Sequence, residues 1–257
     1  MTRAAAWAGR AAAPMVAVTL VLAVVAAALA GCGASPTKLG PSGIDELTIP
    51  TPSPDPADFT GRAINPWFPL EAGTRWTYRQ ETSAASRTVV AEVLPHEMEI
   101  AGVATTPVRW QVRTQGSLRT AMVRWYAVDR DGNVWWFGQR VDPHAPTLDP
   151  LATASFQAGR DGAQAGLILS AVPRDGDGYL NARQPHVVER RSTVLSLTGS
   201  VVTPTQKFRD VVVTHDLSAL DPLHTVQSYF ARGIGLVAQQ DAASVSTSLA
   251  LLGVRRG

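Results

Sequence analysis

Residues 125–138 constrain the fold more than any other stretch. They read Trp125-Tyr126-Ala127-Val128, then Asp129-Arg130-Asp131-Gly132-Asn133, then Val134-Trp135-Trp136-Phe137-Gly138. Two apolar runs around Asp-Gly spell a β-hairpin. With Asp131 and Gly132 as the central pair of a type I′ turn, Tyr126 faces Phe137, Val128 faces Trp135, Ala127 faces Trp136 and Trp125 faces Gly138. Both faces of the hairpin then come out apolar. A sheet with one wet face alternates polar and apolar residues, so this hairpin needs cover on both sides.

The remaining chain supplies the sheet. Arg75-Trp76-Thr77-Tyr78-Arg79-Gln80 alternates, with Trp76 and Tyr78 on one face. Further strands are expected over 87–94, 108–113, 118–128, 187–199, 208–215, 225–230, 236–240 and 244–252, with turns at Ala101-Gly102 and Gly233-Ile234-Gly235. Helical periodicity is weak. About ten strands of ordinary length make an all-β fold, a strongly curved antiparallel sheet or an open barrel. Past Pro143, Pro146 and Pro150 the chain turns glycine-rich over 158–166. That segment reads as a long ordered loop, and Gly159, Asp161, Gly162 and Gly166 are expected to lay it over the aromatic hairpin.

The N-terminus has the three parts of an export signal: Arg3 and Arg10, an apolar run over 11–28, then small residues. Leu29-Ala30-Gly31-Cys32 resembles the lipobox of bacterial lipoproteins. The resemblance implies cleavage of residues 1–31 by a signal peptidase that recognises Leu29, Ala30 and Gly31. It also implies acylation of Cys32 by palmitate-type chains and anchoring on the extracytoplasmic face of the cell membrane. A run of about 20 apolar residues is also long enough to span a bilayer, which is the competing reading. Two or three acyl chains suffice for stable anchoring. Cys32 is the sole cysteine, so its use as an anchor leaves none for a disulfide or a zinc-thiolate site. Residues 32–64, rich in Pro, Gly, Ser and Thr, read as a disordered tether, and 65–257 as a single β-rich domain.

Charge excludes little but discourages nucleic acid. The 23 basic residues less Arg3 and Arg10 leave 21, against 21 acidic ones, and no basic run breaks that neutrality. Catalytic and metal patterns are weak. His96, Glu97 and Glu99 lack the two-histidine helical spacing of a zinc site. His215-Asp216 has no Gly-x-Ser-x-Gly partner and reads as polarity at a strand end. Asp175-Gly176-Asp177-Gly178 is a tight turn without the closing glutamate of a calcium loop. Gly159, Gly162 and Gly166 are not followed by Gly-Lys-Ser/Thr. No cofactor, catalytic residue or metal ligand is assigned.

Several pieces spread along the domain resemble a bacterial family of exported, often lipid-anchored proteins without an established activity. They are Pro69-Leu70 with Gly73, Trp76 and Tyr78; Asp131 through Gly138; Ala158-Gly159 with Asp161-Gly162-Ala163 and Gly166; and Tyr229-Phe230-Ala231 with Gly233-Ile234-Gly235-Leu236. The resemblance implies a β-rich domain similar to the open barrels of lipoprotein carriers, and supplies no reaction. Where that family often has acidic residues, before the first hairpin tryptophan and after the last hairpin glycine, this chain has Arg124 and Gln139.

Three functional classes stay open. The first is a non-enzymatic envelope lipoprotein that holds an apolar ligand, a lipid or acyl chain, against Trp125, Tyr126, Trp135, Trp136 and Phe137. The second is a module that binds another envelope protein through an exposed aromatic surface. The third is a hydrolase built on scattered acids.

Overall fold

Alternation along the first strand shows how the sheet is oriented. In β1 (Arg75–Glu81), Trp76 and Tyr78 are buried while Arg79 and Glu81 are exposed and paired at 3.0 Å. The sheet continues through β2 (Ser86–Val93), β4 (Val103–Thr114), β5 (Ser117–Val128) and β6 (Val134–Val141), whose residues 134–139 are buried on both faces. The short β3 (Met98–Ile100) and β7 (Phe156–Gln157) flank them. The remaining strands are β8 (Gln164–Leu169), β9 (Gly178–Gln184), β10 (Val188–Val202), β11 (Lys207–Ser218), β12 (Asp221–Ala231), β13 (Gly235–Asp241) and β14 (Thr247–Arg255). This is a computed structural model, which describes residues 54–59, 63–82, 85–143, 154–242 and 247–257. Leu29, Ala30, Gly31, Cys32 and most of the expected tether lie outside the described residues.

The strands pair antiparallel in the order β2-β1-β14-β13-β12-β11-β10-β9-β8-β6-β5-β4. β4 then pairs back onto β2, from Thr88↔Arg113 to Val93↔Val108, so twelve strands close a barrel. The fold is all-β as expected, and its curvature runs past the open barrel to full closure, which removes the sheet edges. β3 and β7 add short pairings to β4 and β6.

The expected type I′ pair at Asp131-Gly132 is corrected. The turn spans five residues, Asp129 to Asn133, with the Asp129 amide donating to the Asn133 carbonyl at 3.0 Å and only Gly132 in the left-handed region. A bulge between Trp125 and Tyr126 absorbs the difference, so Val128 faces Val134, Ala127 faces Trp135 and Tyr126 faces Trp136. The Trp125 to Gly138 pairing stands. Two residues in the left-handed region, the signature of a type I′ turn, occur instead at Ala101-Gly102, Gln115-Gly116 and Asp161-Gly162.

The glycine-rich segment lies against the hairpin, in part as a strand. Gly166 faces Trp136 and Leu167 faces Trp135 as backbone neighbours on β8, so this segment extends the wall beside the hairpin. Gly159, Asp161 and Gly162 form the turn leading from β7 into β8, with the Gly159 amide bonded to the Ala163 carbonyl. The outer face of the hairpin is covered by Phe59, a residue assigned to the tether, together with Ala158 at the start of the glycine-rich segment. Phe59 meets Trp135 edge-on at 6.3 Å and Phe137 at 5.4 Å, and Asp58 pairs with Arg130. Ile100, Val103, Ala158 and Ala165 belong to the same outer cluster. Folded structure therefore begins before residue 65, because apolar surface on β6 gives Phe59 something to bury.

Candidate ligand cavity

Residues 65–70 close one end of the barrel. Asn65 is buried, its Nδ2 donates to the carbonyls of Gly132 at 2.9 Å and Leu169 at 3.2 Å, and its Oδ1 accepts from the Trp67 amide at 2.8 Å. The Gly233 amide donates to the Pro66 carbonyl at 2.6 Å. These bonds tie the segment to the turns after β5 and β12. Phe68 then reaches inside, with its ring 5.1 Å from Tyr126 and 6.2 Å from Phe230, side chains of two well-separated strands.

Above Phe68 lies a cavity of about 440 Å³, within the size range of small-molecule sites. Its walls are largely apolar, with Leu70, Tyr78, Val112, Met122, Ile168 and Leu236 among them. Toward the opposite end Val187 and Leu220 line it. Of the five aromatic residues expected at a ligand site, Tyr126 and Trp136 line this cavity. Trp125, Trp135 and Phe137 do not. Strand alternation turns them to the outer face, where they are buried under Phe59.

A polar belt crosses the apolar interior. The Arg124 guanidinium sits over the rings of Trp110 and Trp136, at 5.4 and 5.5 Å from their centroids, and its Nε donates to Gln139 Oε1 at 3.2 Å. The two positions at which the sequence departs from the resembled family are thus cross-strand partners. Two buried polar atoms on the cavity wall, Trp110 Nε1 and Gln80 Oε1, have no hydrogen-bond partner among the described residues. Each such atom costs about 1–3 kcal/mol in a dry setting, which a polar ligand group would offset.

Asp216 belongs to the same interior, so its reading as polarity at a strand end is corrected. Its carboxylate accepts from Thr214 Oγ1 at 2.9 Å and from Ser228 Oγ. What surface it keeps faces the cavity. Burial pushes its pKa above the usual carboxylate range, against the hydrogen bonds from Ser228 and Thr214 and the charges of Arg190 and His215. His215, the next residue on an extended strand, points to the other face and cannot share a catalytic arrangement with Asp216. A carboxyl whose folded pKa is raised favours folding most when protonated, and that contribution fades as pH rises through the raised value. Urea midpoints measured from pH 4.5 to 8 should therefore decline more for the native chain than for Asp216→Asn. Parallel profiles would remove Asp216 as a source of pH dependence.

Sequence reasoning passed over Trp110, Gln80, Arg190 and Asp216. An available signal was the shared face of Met122, Arg124 and Tyr126 on one strand, where a cation sits in an apolar row. Among the described residues no group of His, Cys, Asp and Glu is placed to hold a metal ion.

No family model matches the chain, and no curated protein does. Among solved structures, the crystal structure of a protein from Parabacteroides distasonis ATCC 8503, described as a putative lipoprotein, is similar at 11% identity and a TM-score of 0.42. The match covers 76% of this chain and all of the other. A likeness of that size carries no argument about either protein's role.

Proposed function

We propose that this is a lipid-anchored, extracytoplasmic protein that holds an amphipathic molecule with an acyl chain inside its barrel, without turning it over. The observation that carries the reading is the cavity itself, walled mostly by apolar side chains with polar and charged ones set among them. The Leu29-Ala30-Gly31-Cys32 pattern supports the anchor and the location. Binding to an envelope protein through the aromatic hairpin has less support, because Trp125, Trp135 and Phe137 are buried on the outer face.

Native mass spectrometry of the full chain, expressed in a bacterial envelope and kept in an amphipol, tests this. A stoichiometric adduct that dissolves into organic solvent is expected. Val112→Trp, which fills the cavity from β4, should abolish it while leaving the melting temperature within about 3 °C. The same spectra report whether Cys32 is N-terminal and acylated. A native chain that stays free of adduct, even when offered long-chain amphiphiles, overturns the proposal.

A further inference from the structure

The geometry points to an oxyanion head on that ligand, a carboxylate or phosphate monoester, held by the Arg124 guanidinium together with the indole N–H of Trp110. This inference rests on the ligand-holding reading and goes further by naming the head-group chemistry.

Arg124 is a cation inside a largely apolar barrel, and the groups in direct contact with it are neutral. One tryptophan from each neighbouring strand lies against it, Trp110 from β4 and Trp136 from β6. Its Nε is engaged by the neutral Gln139, and the Tyr126 hydroxyl lies beside it. Among the described residues no carboxylate stands within ion-pairing distance of Arg124. Of the two acids lining the cavity, Asp216 and Asp221, the first feels the charges of Arg190 and His215. Aromatic faces stabilise a cation but do not neutralise it. A fork of terminal amino groups in such a place matches the paired oxygens of a carboxylate or phosphate.

The second observation is independent of charge. Trp110 Nε1 is a buried donor on the same cavity wall with no acceptor among the described residues, and the Arg124 guanidinium lies over the ring that carries it. An indole N–H can only donate. The terminal amino groups of Arg124 and the Trp110 N–H are all donors, and a group that accepts from both is an anionic acceptor. Fixing the head at mid-strand leaves Tyr78, Ile168 and Leu236 to receive a chain.

The test uses the full chain in an amphipol, read by native mass spectrometry, with dodecanoate, dodecyl phosphate and dodecanol as probes. The native chain should bind the two anions about 30-fold more tightly than the alcohol, the ratio expected of a hydrogen bond to a charged group. Arg124→Gln should bring all three within about threefold of one another. Trp110→Phe removes the unpaired donor and keeps an aromatic face, though a smaller one, toward Tyr78 and Arg124. It should weaken the anions by about fivefold relative to the alcohol. Equal affinity of the native chain for all three probes overturns the head-group inference and leaves the ligand-holding reading intact. A preference that survives both substitutions overturns it too. Acetate or inorganic phosphate binding as tightly as the dodecyl anions would mark a small-anion site and overturn it. Failure of every probe to bind would instead sink the proposed function.

Discussion

Gly166→Ala is expected to leave almost no folded protein. The residue sits on β8 where β9 comes closest, and a Cβ built there would lie 2.1 Å from the Leu180 carbonyl oxygen and 2.6 Å from the Asn181 carbonyl carbon. Both are backbone atoms, so nothing can swing away. The two strands are held by the pairs Gln164↔Arg183 and Ala165↔Ala182, and then by the Asn181 side chain, which donates to the Leu167 carbonyl and to Ser192 Oγ, both at 2.8 Å. An added methyl group forces this seam apart and strands buried polar groups, a loss of at least about 4 kcal/mol. Gly162→Ala is the control. Its Cβ meets nothing within 4 Å, and only its φ of +74° resists the change, a cost of about 1 kcal/mol. Soluble yield and thermal melts followed by circular dichroism check the pair. Comparable behaviour of the two variants would mean that β8 and β9 do not approach as described.

Asp129→Ala should lower the melting temperature by roughly 10 °C. The carboxylate is buried and accepts four hydrogen bonds. Its Oδ1 takes the amides of Asp131 at 3.0 Å and Asn133 at 2.8 Å, and its Oδ2 takes Asn133 Nδ2 at 2.9 Å and Trp135 Nε1 at 2.8 Å. Removing it leaves four donors without their acceptor at the base of the hairpin, worth about 3–5 kcal/mol. Asp129→Asn is not a mild substitute. Its amide nitrogen would face donors already converging on Oδ2, so about half the loss is expected. A fall of less than about 2 °C for the alanine variant would show that the turn holds without this side chain.

Asp129 also explains what was legible in the sequence and what was not. Two apolar runs around Asp-Gly announce a hairpin, and apolar residues on both its faces announce cover on both sides. Each inference rests on local pattern and agrees with the structure. The turn type does not follow from residue identity alone, because one upstream carboxylate captures the turn and lengthens it. β8 and β9 escaped notice for a related reason. Gln164-Ala165-Gly166 and Gly178-Tyr179-Leu180-Asn181 have little apolar alternation, and tertiary packing, with a glycine chosen for close approach, makes them strands. Closure through β2 and β4 is a pairing between strands that are not consecutive, which no local window reports. The cavity was expected near the hairpin, yet only Tyr126 and Trp136 of its aromatics face inward. The polarity of the site was hidden because an arginine on a strand looks the same in sequence whether it faces water or the interior.

The pairing of β1 with β14 joins the two ends of the folded chain, Arg75 opposite Arg255. Until the final strand has been made, both β1 and β13 lack a neighbour on that side. A seam that spans nearly the whole polypeptide is slow to form, since its loop-closure entropy must be met before any contact repays it. Until β14 docks between β1 and β13 the cup stays unsealed, so the barrel interior is the last part of the fold to be shut off from water.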